Sequence, residues 1–185
     1  KKITKSNNME LQNIVVAGSG VLGYQIAFQT AFHGYNVYVY DINDEVLDKA
    51  KAKFDGLSQH YREDINATEE QIKATFSRLQ YSSNLAEAAK DADLVIEAVP
   101  ENPNIKIDFY TQLSKVAPEK TLFATNSSTL LPSMFAKYTG RPEKFIALHF
   151  ANEIWKFNTA EVMGHPGTSQ QTFDIIVDFA KSIGM

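Results

Sequence analysis

The sequence predicts an α/β fold, a Rossmann-type doubly wound and mainly parallel sheet, and three observations carry that prediction. Short apolar runs alternate with amphipathic segments along the chain, the order that buries a parallel sheet between two helical layers. The first run, Ile14 to Ala17, is short, continuous and apolar, as in a strand covered on both faces. The first run leads straight into Gly18-Ser19-Gly20-Val21-Leu22-Gly23, a glycine pattern that opens a helix.

Taken in order, residues 1–11 read as a polar lead-in and 12–185 as the domain. Ile14 to Ala17 is the first strand. Leu22, Ile26, Ala27, Thr30 and Ala31 then recur at helical spacing, and His33-Gly34 supplies a glycine stop. Val37 to Asp41 is the second strand. Asn43 caps a helix with apolar positions Val46, Leu47, Ala50, Phe54, Leu57 and Tyr61. Thr68-Glu69-Glu70-Gln71 has capping-box spacing and opens another helix to about Arg78, so residues 43–78 should form an inserted helical hairpin projecting from the sheet. Asn84 caps a short helix to Lys90, and Leu94 to Val99 is a strong strand. Asn102-Pro103 starts a helix with proline at its favoured first position, ending near Ala117. Further strands are expected at 121–125, 145–150 and 159–163, and a short helix near 132–137. Thr168 should cap a last helix whose buried stripe is Phe173, Ile176, Val177 and Ala180.

Composition narrows the functions open to the chain. Its 185 residues carry a net charge of -4 with no basic block, which argues against a nucleic-acid surface. The absence of cysteine excludes disulfides, thiolate zinc sites and a cysteine nucleophile. No apolar run reaches the roughly 18 residues of a membrane span. The polar start lacks a signal-peptide core, so a cytoplasmic location is expected.

The glycine run points to a dinucleotide. Gly18 permits a tight turn, Gly20 lets backbone approach a pyrophosphate, and Gly23 lets the helix pack close to the strand. Ser19, Val21 and Leu22 complete the cofactor loop. Asp41 closes the second strand about 20 residues on, where a carboxylate can accept from both adenosine ribose hydroxyls and repel a 2′-phosphate. NAD is therefore the expected cofactor.

In open parallel sheets, ligands sit beyond the carboxyl ends of the strands. The polar residues expected there are Glu101, Asn126, Ser127, Ser128, His149 and Asn152. His149 is suited to proton exchange at neutral pH, and Glu161 in the next strand can hold its tautomer. A strand-end histidine with purely structural hydrogen bonds is the competing reading. A serine hydrolase at Ser127 or Ser128 lacks the Gly-x-Ser-x-Gly elbow. No His/Asp/Glu cluster has metal-ligand spacing, so no metal is expected.

Six motifs stand in order: Gly18 to Gly23, Asp41-Ile42, Val95 to Glu101, Thr125 to Thr129, His149 to Asn152 and Thr159 to Val162. Together they resemble the L-3-hydroxyacyl-CoA dehydrogenase family, its amino-terminal NAD-binding domain, over Ile14 to about Gly184. The resemblance implies NAD-dependent, reversible oxidation of the 3-hydroxyl of an acyl-CoA. It implies His149 as base, Glu161 as its orienting carboxylate, and Ser128 and Asn152 beside the nicotinamide and the substrate oxygen. Glu101 and Lys106 match further cofactor contacts. It also implies an all-helical domain, absent from this chain, that makes a homodimer. The match departs at Glu153-Ile154-Trp155-Lys156, where the family often carries a proline-rich turn, and Trp155 is expected to cover the core. No clear counterpart of the family's CoA-binding lysine is found, Ser58 and Arg62 being the candidates. A dehydrogenase of a polar non-CoA 3-hydroxy acid, and a non-catalytic NAD-binding module, are the alternatives.

Overall fold

A computed structural model describes residues Met9–Met185. Alternate residues of β1 (Asn13–Ala17) feed opposite faces of the sheet: Ile14 and Val16 enter one apolar cluster, Val15 and Ala17 the other. A strand buried on both sides belongs at the centre of a parallel sheet. β1 accordingly pairs in parallel with β2 (Asn36–Tyr40) on one side and β4 (Leu94–Glu97) on the other. The sheet has seven strands in the order β3-β2-β1-β4-β5-β6-β7. It is completed by β3 (Leu79–Ser82), β5 (Leu122–Thr125), β6 (Phe145–Phe150) and β7 (Ala160–Met163), of which only β7 is antiparallel to its neighbour.

One face carries α1 (Val21–Phe32), α2 (Asp44–Ile65), α3 (Glu69–Ser77) and α6 (Gln170–Ser182). The other carries α4 (Leu85–Ala89), α5 (Pro103–Val116) and the turns around Phe135. Asn43, Asn84 and Asn102 cap their helices as the sequence predicts, and Thr68 with Gln71 closes a capping box. No helix among the described residues is long and apolar enough to cross a membrane.

Four expectations need correction. The helical hairpin does not project from the sheet. Phe54, Tyr61 and Phe76 pack around Phe28 of α1, so α2 and α3 lie over α1 as part of the core. β3 was not predicted, because two of its four residues are polar and it is an edge strand with only one neighbour. The segment 132–138 forms two single 3-10 turns instead of a helix. α6 is capped by Ser169, whose Oγ accepts from Thr172 N; Thr168 Oγ1 is occupied with His165 N and Phe145 O.

Candidate active site

The order of strands reverses direction between β1 and β4, and the loops leaving those two strands part around a crevice. Gly18 takes a left-handed φ of 98°, and a Cβ there would lie 2.4 Å from Ala98 O in the β4 loop. A Cβ on Gly23 would lie 1.9 Å from Gly18 O, so only glycine lets α1 start against the loop. Gly20, by contrast, faces open space: nothing lies within 4 Å of its Cβ position. Gly20 is the N-cap of α1 and offers no side-chain cap, and the first turn has no acidic residue. The unpaired N–H groups and dipole of that helix end therefore point at the crevice, an arrangement that suits a phosphate.

The crevice has two halves that meet at Gly20, Ala98, Val99 and Pro100. The larger, about 610 Å³, is bordered by Asp41, Ile42 and Phe109. The smaller, about 270 Å³, is bordered by Val21, Leu22, Glu101, Lys106, Ser128 and His149. One long ligand with a charged middle fits this shape: an adenosine half beside Asp41, a pyrophosphate on Gly20, and a second half beside His149. The residues present thus fit a dinucleotide.

Asp41 does less than the sequence suggests. Its Oδ2 already accepts from Ser19 N at 2.8 Å and Ser19 Oγ at 2.7 Å, and its Oδ1 accepts from Ile42 N at 2.8 Å. With four lone-pair sites on a carboxylate, Oδ1 keeps one for a ribose hydroxyl, so a bond to both hydroxyls would displace Ser19. Ser19 is buried and is the strut that ties the glycine loop to β2.

His149 and Glu161 stand directly opposite each other on β6 and β7. His149 Nδ1 lies 3.6 Å from Glu161 Oε2, with the histidine partly and the glutamate largely exposed. The register itself brings them together, since opposed residues of an antiparallel pair share a face. Asn152 follows in an exposed turn whose Glu153 takes a left-handed φ of 53°.

The family profile described as "3-hydroxyacyl-CoA dehydrogenase, NAD binding domain" matches residues 13–185. The chain belongs to that family. It is 33% identical over 179 residues to the human mitochondrial hydroxyacyl-coenzyme A dehydrogenase, covering 94% of this chain and 57% of the human one. A solved diketoreductase acting on dicarbonyl compounds is 53% identical with a TM-score of 0.93, over 96% of this chain and 63% of that one. The 3-hydroxybutyryl-CoA dehydrogenase of Escherichia coli is 31% identical with a TM-score of 0.90, over 95% and 37%. The chain thus spans little more than half the length of the curated relatives it matches.

In this NAD-binding domain, Lys106 is a buried strut. Its ammonium reaches Glu97 Oε2 at 2.5 Å, Glu101 Oε1 at 3.0 Å and Val99 O at 3.3 Å, which uses all three protons. Glu97, fully buried, also accepts from Tyr110, Thr125 and Val99 N. Burial, and then the Glu97 charge, push the Tyr110 phenol well above its ordinary range, so it stays a donor. Glu101 Oε2 accepts from Ser127 at 2.7 Å and Thr129 at 3.0 Å. Partial burial raises the Glu101 carboxyl, but the bonds from Ser127 and Lys106 and the lysine charge outweigh it and leave its pKa below the usual value.

The CoA candidates are committed elsewhere. Ser58 is buried and donates to Asp55 O, and Arg62 is bound through two nitrogens to Glu69. Trp155 is buried as expected, its Nε1 donating to Asp64 Oδ2 at 2.9 Å and its ring stacked on His60.

Two residues that shape the site, Glu97 and Gln25, were not singled out, whereas Asn126 was expected at the strand ends. Glu97 has a legible signal, a lone acid inside Leu-Val-Ile-Glu-Ala-Val, which demands a buried partner. Asn126, whose Oδ1 accepts from Phe150 N, ties the end of β5 to the end of β6. Gln25 is a polar residue in the buried face of α1.

Proposed function

We propose that the full-length protein interconverts the 3-hydroxyl of an L-3-hydroxyacyl-CoA and its 3-ketone with NAD, this chain supplying the cofactor-binding domain and the base. The observation that carries this reading is the opposed His149–Glu161 pair, whose histidine borders the crevice that begins at an uncapped glycine loop. Bound NAD supplies the hydride acceptor. Gly18, Ser19, Gly20, Val21, Leu22 and Gly23 hold the pyrophosphate, and Asp41 takes a ribose hydroxyl and disfavours a 2′-phosphate. Glu101 and Lys106 wall the half of the crevice next to His149. His149 removes the proton of the 3-hydroxyl, and Glu161, facing it across the strand pair, stabilises the imidazolium. Ser128 and Asn152 donate to the oxygen as it becomes a carbonyl.

The test is His149→Ala in the full-length protein. It should lower kcat by about 10²–10⁴, the usual worth of acid–base help, and leave NADH affinity unchanged. Equal loss of both would make the histidine structural. As part of the same reading, the full-length protein is a cytoplasmic homodimer joined through a helical domain outside this chain.

A second reading is favoured by one observation: the 53% identity to the diketoreductase, against 33% to the human enzyme. Under it the substrate is a small dicarbonyl compound without CoA. Rates on acetoacetyl-CoA and on a free diketo ester separate the two.

A further inference from the structure

We infer that Gln25 is a positioning residue that fixes the side-chain amide of Asn152 with its nitrogen turned outward as a donor. The inference rests on the reading of Asn152 given above and adds what holds that side chain in one orientation.

Backbone N–H and C=O groups have hydrogen-bonding roles that are not open to choice. Val21 O can only accept, and it lies 2.9 Å from one end of the Gln25 amide; that end is therefore the NH₂ group. Ile154 N can only donate, and it lies 3.4 Å from the other end, which is therefore the carbonyl. The Gln25 nitrogen also meets the Asn152 side chain at 2.8 Å. A donor there requires an acceptor, so the Asn152 atom facing inward is Oδ1 and the atom left outside is Nδ2. Two backbone contacts in this way determine the orientation of an exposed amide that would otherwise turn over freely.

The surroundings fit a positioning role. Gln25 is 3% exposed, in an otherwise apolar stretch of α1, and lies one helical turn beyond Val21, which borders the crevice beside His149. The turn it grips is held at its far side as well, by Trp155 on Asp64 and His60. Lys156 N and Phe157 N both donate to Glu153 O at 2.9 Å and close the turn. The outward Asn152 nitrogen has no protein hydrogen-bond partner among the described residues. A fixed donor near a developing oxygen charge is worth far more than a rotating one, because no reorganisation is needed in the reaction.

The experiment uses the full-length protein and four variants, Gln25→Met, Asn152→Ala, the two combined, and Asn152→Asp. Gln25→Met keeps the volume and removes both polar ends. It should lower kcat about 10²-fold, with KM for NADH little changed. On the Asn152→Ala background it should lower kcat no further, because it acts only through Asn152. Asn152→Asp, at an exposed position, keeps an inward acceptor for Gln25 but turns an acceptor outward. It should lose as much activity as Asn152→Ala while folding like the parent. Wild-type turnover in Gln25→Met, a full additive loss in the double variant, or wild-type turnover in Asn152→Asp would each overturn the inference. Undiminished turnover in His149→Ala, measured alongside, would instead remove the reading on which it rests.

Discussion

Glu101 sits where two demands meet: it borders the crevice, and it receives Ser127, Thr129 and Lys106. Its folded-state pKa is lowered, so its contribution to stability is present above the unfolded value of about 4.3 and is lost as pH falls through the folded value. Glu101→Gln should therefore destabilise the protein at neutral pH by an amount that shrinks below about pH 4. Urea denaturation at both pH values checks this, and an equal loss at both would contradict it. Residues of this kind were partly legible. Glu101 and His149 were readable because each is a polar residue at or near the end of an apolar run, and Glu161 as the acid in the strand that follows His149. What Lys106 and Asp41 do was not readable, because their partners Glu97, Val99 and Ser19 are set by how loops and helices close in space.

At the scale of elements, the Glu97–Lys106 pair joins β4 to α5 inside the core. Lys106→Met should leave a buried carboxylate without its partner and cost about 3–5 kcal/mol. Adding Glu97→Gln should recover a large part of that loss, because the uncompensated charge is then gone. Chemical denaturation of the single and double variants measures both values; a double variant no more stable than the single one would mean the pair is not the source. Most elements were legible from their ends, since Asn43, Thr68, Asn84 and Asn102 all cap as their chemistry suggests. The failures were elements with weak local signals. β3 is four residues long and half polar, and Thr168 and Ser169 are equally able caps until Thr168 is drawn to His165 and Phe145.

At the scale of the molecule, the alternation of apolar runs and helices was enough to predict a doubly wound sheet, because few topologies bury such runs with short right-handed connections. The antiparallel direction of β7 follows from the short connection after β6, since a parallel partner needs a crossover of a dozen or more residues. That one reversal places Glu161 opposite His149, and the reversal of strand order between β1 and β4 opens the crevice beside them. The central claim is that this crevice presents a nicotinamide to a substrate held at His149. It is tested most directly by following deuterium from NADH labelled at the nicotinamide C4 into a 3-oxoacyl substrate, with the full-length protein. The account predicts one deuterium at C3 of the 3-hydroxy product, delivered to a single face. NADH that binds but leaves no label at C3 would contradict it.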